Sequence, residues 1–338
     1  MAVRWQPVAA VVAVAAMGLA VAVAAADVPS SARILPDGTH GNGPTEALAR
    51  WNAFPVTANP RPLVVFDPIE YEVSLDNSAE ENGFSRGLWT IPSSLPEGPG
   101  TRGGYEVLSA RAAAEQIRHS VLGDVDEELD GMTIPPRPIA LTSARLVERR
   151  FLTDRGSAVL PAWEFEFEPR LEASTVVLAA TGNAVFASPA FSAADGVAVV
   201  SADGHSLVYR FTGYAPGAGP CEAEYAPLVQ ESATAVAIGA LERSGRMEVG
   251  EGCADVGHSR EIRIGLDQPL GNRGLISHGR GVPIQVLTRE QEAAKERAVA
   301  EFRDCVARAE AAACLRKITA LGTVRMSDLQ AGPRTAVE

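Results

Sequence analysis

The sequence predicts an α+β protein with an N-terminal export or anchor helix, a domain built from a helix and an antiparallel sheet, a small disulfide-linked β domain and a C-terminal helical segment. Three observations predict it. An apolar run occupies residues 7–26, a helical pattern at 109–122 precedes several short β-type runs, and four cysteines lie in the C-terminal half. A helix followed by runs of strands is typical of α+β folds.

Composition and charge limit the function classes. The chain has 338 residues, of which 46% are hydrophobic and 21% charged, and its formal net charge is −12. This length suggests about two domains of roughly 150 residues each. The 30 Lys and Arg residues are outnumbered by 42 Asp and Glu. Without a basic face for phosphates, no nucleic-acid partner is expected.

The segment 7–26 has no charged or strongly polar residue and follows Arg4. As a helix its twenty residues would reach roughly 30 Å, the thickness of a bilayer's hydrocarbon core. Three alanines before Asp27 also fit a signal-peptide cleavage site. Two outcomes therefore stay open for residues 1–26: a removed signal peptide, or a single transmembrane anchor with the membrane as partner. In both, Arg4 keeps the N-terminus inside, and the chain after Asp27 is extracytoplasmic.

Composition divides the rest of the chain. Residues 27–62, rich in Pro, Ser, Gly and Asn, predict an extended linker with a short helical stretch at 47–51. Residues 63–213 predict the α+β domain, and the Gly- and Pro-rich stretch 213–220 predicts its boundary with the small β domain at 220–287. Thr288 and Gln291 match a capping box that begins the helical segment 288–322, and residues 323–338 predict a frayed tail.

Periodicity predicts the elements inside these domains. A helix is predicted over 109–122 with Ser109 as its N-cap, because apolar residues recur on one face at a period of 3.6. Short apolar runs predict strands at 63–66, 139–151, 157–168, 174–180, 197–201 and 206–212 in the first domain, and at 234–241, 261–266 and 282–287 in the second.

The runs 139–151 and 157–168 predict a hairpin, because Asp154 and Gly156 lie between them. Aromatic residues at 163, 165 and 167 alternate with glutamates at 164, 166 and 168. A strand turns successive side chains to opposite faces, so the aromatic rings are expected inside and the glutamates in water. Neighbouring carboxylates also suit acid/base or metal chemistry, but this alternation is typical of a solvated strand face.

Cysteines in an exported chain usually form disulfides. A bond between Cys221 and Cys253 is predicted to close a loop of about 32 residues and to stabilise a small core. A zinc site at Cys253, Asp255 and His258 is the alternative, but its spacing matches no common structural zinc site.

Cys305 and Cys314 are predicted to pair as well, which requires a break in the C-terminal helical segment. In an unbroken helix nine residues raise the chain roughly 13 Å, nearly twice the Cα separation that a disulfide spans. The Ala- and Glu-rich stretch 309–313 favours continuous helix, whereas the apolar residues before and after it lie on faces about 100° apart. We predict a break at 307–312.

Several short segments occur in an order that resembles a known group: Cys221, 231–236, Cys253 and 266–273, together with 160–163, 54–56 and 60–62. The pattern is similar to that of uncharacterised exported or membrane-anchored proteins of high-GC actinobacteria. The resemblance implies an extracytoplasmic location and this architecture. It supplies no catalytic residue.

Catalytic signatures are absent from the sequence: there is no nucleophile elbow, Walker loop, His-Glu-x-x-His motif or dinucleotide fingerprint. The five histidines, His40, His119, His205, His258 and His278, are scattered. Asp203, His205 and Ser206 lie too close in sequence for a triad. Alternating carboxylates at 124–130 resemble a calcium loop, but its required Gly and Glu are replaced by Leu129 and Pro135. No catalytic residue, cofactor site or metal site is predicted.

Two function hypotheses remain. The first is a non-enzymatic binding or interaction module of the cell envelope, secreted or anchored with its C-terminus outside, whose partner is an envelope protein, a lipid or a cell-wall component. The second is a cell-envelope hydrolase with an unrecognised site, which would require His205 or His258 to meet a serine and an aspartate in space. The missing motifs and the β-rich exported part favour the first.

Overall fold

The computed structural model describes residues 32–34, 43–71, 79–123, 135–168, 175–187, 196–244, 253 and 257–307. These residues form a mixed α+β fold, mostly sheet with few helices, and the coarse fold class is confirmed. The predicted export segment at 7–26, the acidic turn at 124–130 and the tail at 323–338 lie outside them. Among the helices that are described, none is long and apolar enough to cross a membrane.

The helices are α1 (Pro44–Arg50), α2 (Ala79–Ser85), α3 (Ala110–Gly123) and α4 (Arg289–Val306). The strands are β1 (Ala32–Ile34), β2 (Ile69–Tyr71), β3 (Trp89–Thr90), β4 (Thr101–Arg102), β5 (Tyr105–Val107), β6 (Ile139–Thr153), β7 (Gly156–Glu168), β8 (Thr175–Leu178), β9 (Ala180–Thr181), β10 (Val197–Val200), β11 (Ser206–Gly213), β12 (Ala223–Glu231), β13 (Ala235–Ser244), β14 (His258–Gly265), β15 (Gly274–Ser277) and β16 (Gln285–Leu287).

The first body is a five-stranded sheet in the order β2-β8-β7-β6-β3, and the predicted hairpin β6–β7 is its largest part. The aromatic rings at 163, 165 and 167 are buried on one face, where they pack against Ala114 and Ile117 of α3. Ser109 caps this helix, since its hydroxyl accepts a hydrogen bond from the Ala112 N–H at 3.2 Å. The predicted hairpin, helix and inward aromatic face are all present.

The opposite face of the same sheet is covered along only part of its length. Leu160 and Ala162 of β7 are buried there with Val176 and Leu178 of β8, and Tyr105 from the small sheet β4-β5-β9 packs against them. Further along β7, the glutamates at 166 and 168 are exposed. The sheet therefore has two apolar cores and one solvated charged region.

The second body contains two four-stranded sheets around one core. One has the order β14-β11-β10-β16, and the other has the order β1-β13-β12, with β15 also pairing with β13. Two of these pairs are parallel, β10 with β16 and β13 with β15. Side chains from both sheets share a buried cluster that includes Leu207, Ile238, Ile264 and Ile284.

The predicted domain boundary at 213–220 is wrong. Strand β11, which precedes this stretch, pairs with β14 over eight residues, and β10 pairs with β16. The Gly- and Pro-rich stretch is a tight connection within the second body, where the Ala223 N–H donates to the Ala215 carbonyl at 2.8 Å. Glycine and proline mark a turn as readily as a linker, and composition does not distinguish the two.

The extended linker predicted at 27–62 is also corrected in its described part. Residues 32–34 form β1 against β13, and residues from Pro44 onward form α1. Trp51 and Phe54 are almost fully buried with Ala237 and Ile276 of the second body. These apolar side chains bind the segment to the core although its composition is that of a loop. The predicted strand at 63–66 forms only isolated bridges, from Leu63 to Val185 and from Val65 to Thr153.

Helix α4 begins as predicted. The Thr288 hydroxyl accepts from the Gln291 N–H, and the Gln291 side chain accepts from the Thr288 N–H, which completes the capping box. The helix ends at Val306, where the predicted break begins, and residues 308–338 lie outside the described part. Arg210 of β11 holds the first turns of α4 against the sheet through Glu292 and Glu296.

Candidate functional site

The four histidines of the described part lie on different elements. His119, His205 and His258 are exposed, His278 is half-buried, and His40 lies outside the described part. The Asp203 carboxylate accepts from the Ser201 hydroxyl at 2.6 Å and from the backbone N–H of His205 at 3.1 Å, and the imidazole of His205 lies nearest to the Leu266 carbonyl. This geometry closes the turn between β10 and β11.

Metal chemistry finds no support in the same part of the chain. No group of three or more His, Cys, Asp or Glu side chains there could hold a metal ion. Cys253, a ligand in the alternative zinc reading, is in a disulfide, and its sulfur is therefore no thiolate. Asp255 and the acidic turn at 124–130 lie outside the described residues.

The Cys221–Cys253 disulfide is confirmed. The two Cα atoms lie 5.5 Å apart and the bond joins residues 32 positions apart, just before β12 and between β13 and β14. Cys305 is also disulfide-bonded. Its predicted partner, Cys314, lies outside the described residues, so this pairing stays a prediction.

Two of the segments that carry the resemblance meet at one ion pair. The Glu231 carboxylate accepts from Arg273 at 2.7 Å and from the Asp267 N–H at 2.6 Å. The guanidinium of Arg273 also donates to the carbonyls of Ser232, Gln268 and Pro269. The pair holds the loop 266–273 against the end of β12. These residues therefore organise the fold, and their arrangement indicates a structural role.

The same contacts set the protonation of Glu231. Burial by itself would raise its pKa, but the hydrogen bonds from Arg273 and the Asp267 N–H outweigh this effect. The pKa of Glu231 therefore lies below its ordinary value of 4.5, and the carboxylate is ionised at neutral pH.

A second polar cluster joins the two bodies at the turn between β6 and β7. The buried Asp154 carboxylate accepts two hydrogen bonds from Arg61, at 3.2 and 2.5 Å, and one from the Val64 N–H at 3.3 Å. Next to it, Arg155 donates to the carbonyls of Arg273 and Gly271 at 2.7 and 3.1 Å. Burial lowers the pKa of Arg155 to about 10, which leaves it charged at neutral pH. The turn is thereby bound to the second body.

The most accessible binding element is the outer side of β6. On this side β3 pairs only with Ile139 and Ala140, and at the other end the Phe66 N–H donates to the Leu152 carbonyl at 2.9 Å. Between these contacts, no strand of the described part pairs with β6. We call residues 142–151 on this side the open edge.

Three hydrogen bonds show which backbone groups point outward along the open edge. The Leu152 carbonyl accepts from the Phe66 N–H, and the Leu146 carbonyl accepts from the Arg102 guanidinium at 3.4 Å. Both donors lie outside the hairpin. Before the register shift at 141–143, the Ile139 N–H points outward and donates to the Leu88 carbonyl. Because outward groups alternate along an antiparallel strand, residues 144, 146, 148 and 150 present their N–H and C=O groups outward. They span about 20 Å.

The side chains of the open edge differ between its two faces. Ala144 and Leu146 lie half-buried on the face that packs against α3. On the opposite face Arg145 and Arg149 both bind Glu164 of β7, Arg149 at 2.6 Å. Burial by itself would raise the pKa of Glu164, but these hydrogen bonds outweigh it, and its pKa lies below the ordinary 4.5. On the first face the apolar Ala144 and Leu146 are followed by the exposed Glu148 and Arg150, and on the second face Arg145 and Arg149 flank the half-buried Val147.

From the sequence, the glutamates of β7 are predicted as a solvated face, and the open edge is not predicted. Arg145 of β6 lies directly across from Glu164 in the register, whereas Arg149 lies across from Leu160. Which side of β6 remains unpaired depends on strands far away in the chain. Comparison with protein-family models, with curated proteins and with solved structures finds no match for this chain.

Proposed function

We propose that the chain is a non-enzymatic binding module of the cell envelope, located outside the cytoplasm, and that it binds its partner along the open edge of β6. The backbone of residues 144–150, which pairs with no described strand on its outer side, carries the proposal, because a row of outward N–H and C=O groups at a sheet edge is a template for pairing with another chain. Among these groups, the Leu146 carbonyl also accepts from the Arg102 side chain. The Cys221–Cys253 disulfide supports the location, since such bonds persist in oxidising compartments.

The edge has the rigidity that a binding element needs. The hairpin β6–β7 is paired without interruption from Ser143 to Thr153, beyond the register shift at 141–143, and its turn is held by Asp154 and Arg155. The neighbouring contacts of β3 and of Phe66 fix both ends of the open edge. A partner strand would therefore meet a backbone that is already extended, which reduces the entropy cost of association.

Photo-crosslinking in intact cells of the source organism tests the proposal. The full chain carries a benzoylphenylalanine at position 150 on the open edge or, as a control, at position 263. Both positions hold exposed arginines, but Arg263 lies on β14 of the second body. A discrete adduct from position 150 that is absent from position 263 is expected. Equal adducts from both positions, or none from position 150, would contradict the proposal.

A further inference from the structure

The open edge also specifies what kind of strand fits it. An added strand continues the sheet, so each of its residues lies beside a residue of β6 and on the same face. On one face the neighbours are Ala144 and Leu146, which are half-buried and apolar, followed by the exposed Glu148 and Arg150. On the other face they are Arg145 and Arg149, with the half-buried Val147 between them.

Charge along β6 favours an acidic partner. Within the open edge β6 carries Arg145, Arg149 and Arg150 against the single carboxylate of Glu148, and Arg102 reaches this carboxylate from outside at 4.0 Å. Glu164 neutralises part of this charge, but it stands on β7, one strand further from the incoming chain. The row nearest a partner is thus basic in a chain whose net charge is −12.

A second copy of this chain would place like charges against each other in some registers of the open edge and not in others. Two β6 strands related by a twofold axis form a continuous sheet only if residues on the same face lie opposite each other. With Leu146 at the axis, Arg145 would oppose Val147 and Glu148 would oppose Ala144. With Val147 at the axis, Arg145 of one copy would oppose Arg149 of the other, and with Arg149 at the axis this residue would oppose itself. Like charges directly opposite each other destabilise a strand pair.

We propose that the open edge binds an extended peptide segment of a partner protein in which acidic residues alternate with apolar ones. The peptide adds one strand beside β6, its main chain pairs with residues 144, 146, 148 and 150, its carboxylates lie beside Arg145 and Arg149, and its apolar side chains lie beside Ala144 and Leu146. This inference rests on the proposed binding function and names the partner class for the same edge.

The test uses the full chain with its disulfides intact and a synthetic seven-residue peptide that alternates glutamate with valine. We expect binding in titration calorimetry, and protection from hydrogen exchange at the amides of residues 144, 146, 148 and 150. The same peptide with lysine for glutamate should bind roughly tenfold more weakly, since two or three exposed ion pairs are lost. A glutamate peptide with N-methylated alternate amides should not bind, because it cannot pair with a strand.

Two matched variants locate the charge effect. Arg149→Gln should weaken binding of the glutamate peptide about threefold, because one ion pair with the peptide is lost. In this variant Glu164 keeps its ion pair with Arg145. Arg263→Gln makes the same charge change at a distant exposed position and should leave the affinity unchanged. Hydrogen exchange and circular dichroism of both variants verify their fold.

Several outcomes would overturn the inference. Equal affinities of the lysine and glutamate peptides would contradict the preference for an acidic partner. Binding of the N-methylated peptide would contradict pairing of its main chain with β6. Protection of the four edge amides in the free protein would show that the chain or a second copy already covers the edge. If crosslinking captures a partner at position 150 but the glutamate peptide does not bind, the partner class is wrong and the binding function stands. If neither occurs, both proposals fail.

Discussion

At the scale of single residues, Asp154 is the buried carboxylate of the turn between β6 and β7. It is 2% exposed and neutralises Arg61. Asp154→Asn should lower the free energy of unfolding by about 3 kcal/mol, because a buried charge that loses its partner remains uncompensated. Urea denaturation measures this loss. Glu80→Gln, which breaks the exposed pair with Arg137, should cost less than about 1 kcal/mol; equal costs would contradict the role assigned to Asp154.

Glu231 makes stability depend on pH in a defined direction. Its pKa is lower in the folded protein than its ordinary value of 4.5, so its contribution is present above that value and is lost as the pH falls through the folded pKa. Urea denaturation at pH 7 and at about pH 3 should show this loss in the wild type. Glu231→Gln should be less stable at pH 7 and should lose less on acidification. Glu224→Gln, an exposed neighbour on β12, should behave like the wild type.

At the scale of elements, the capping box determines where α4 begins. Thr288→Ala removes the acceptor for the Gln291 N–H and should cost about 1 kcal/mol of unfolding free energy. Thr288→Ser keeps the hydroxyl and serves as the control. Circular dichroism during urea denaturation measures both variants. Equal stability of the alanine and serine variants would show that the box contributes little to this helix.

The end of α4 carries the prediction about the second disulfide. Helix α4 stops at Val306 and Cys305 is bonded, while a continuous helix would separate positions 305 and 314 beyond the reach of a disulfide. Proteolysis of the unreduced protein followed by mass spectrometry should yield one linked peptide that contains Cys305 and Cys314. A link from Cys305 to any other thiol would contradict the predicted pairing and the break at 307–312.

At the scale of the whole molecule, the turn at 153–156 connects the two bodies, and we expect them to unfold as one cooperative unit. The Val286 N–H donates to the Asp154 carbonyl, and Arg155 donates to two carbonyls of the loop 266–273. Arg155→Ala leaves these carbonyls unpaired and should cost about 1–3 kcal/mol. Hydrogen exchange should show that amides of β7 and of β13 become less protected together. A loss confined to one body would show that the bodies unfold separately, and Arg263→Ala should change neither.

Features that depend on residues close together in the chain were predictable from the amino-acid sequence. The alternation at 163–168 predicts the buried aromatic face, Ser109 and Thr288 mark the starts of α3 and α4, and Asp154 and Gly156 mark the hairpin turn. Each of these signals acts over a few positions, through side-chain direction, a cap or a turn. The Cys221–Cys253 bond was predictable as well, because the expected compartment favours disulfides.

Features that depend on residues distant in the chain were not predictable, because they arise when the chain folds. The boundary predicted at 213–220 fails because β11 pairs with β14, about 50 residues further along the chain, and the linker at 27–62 fails because Trp51 and Phe54 find buried neighbours on β13 and β15. The Glu231–Arg273 pair and the open edge of β6 also depend on residues that are distant in the sequence. Local periodicity shows that a strand forms and which face is apolar, but it does not show which strands lie beside it. That choice is made by packing across the whole chain, and it leaves residues 142–151 of β6 without a strand on their outer side among the described strands.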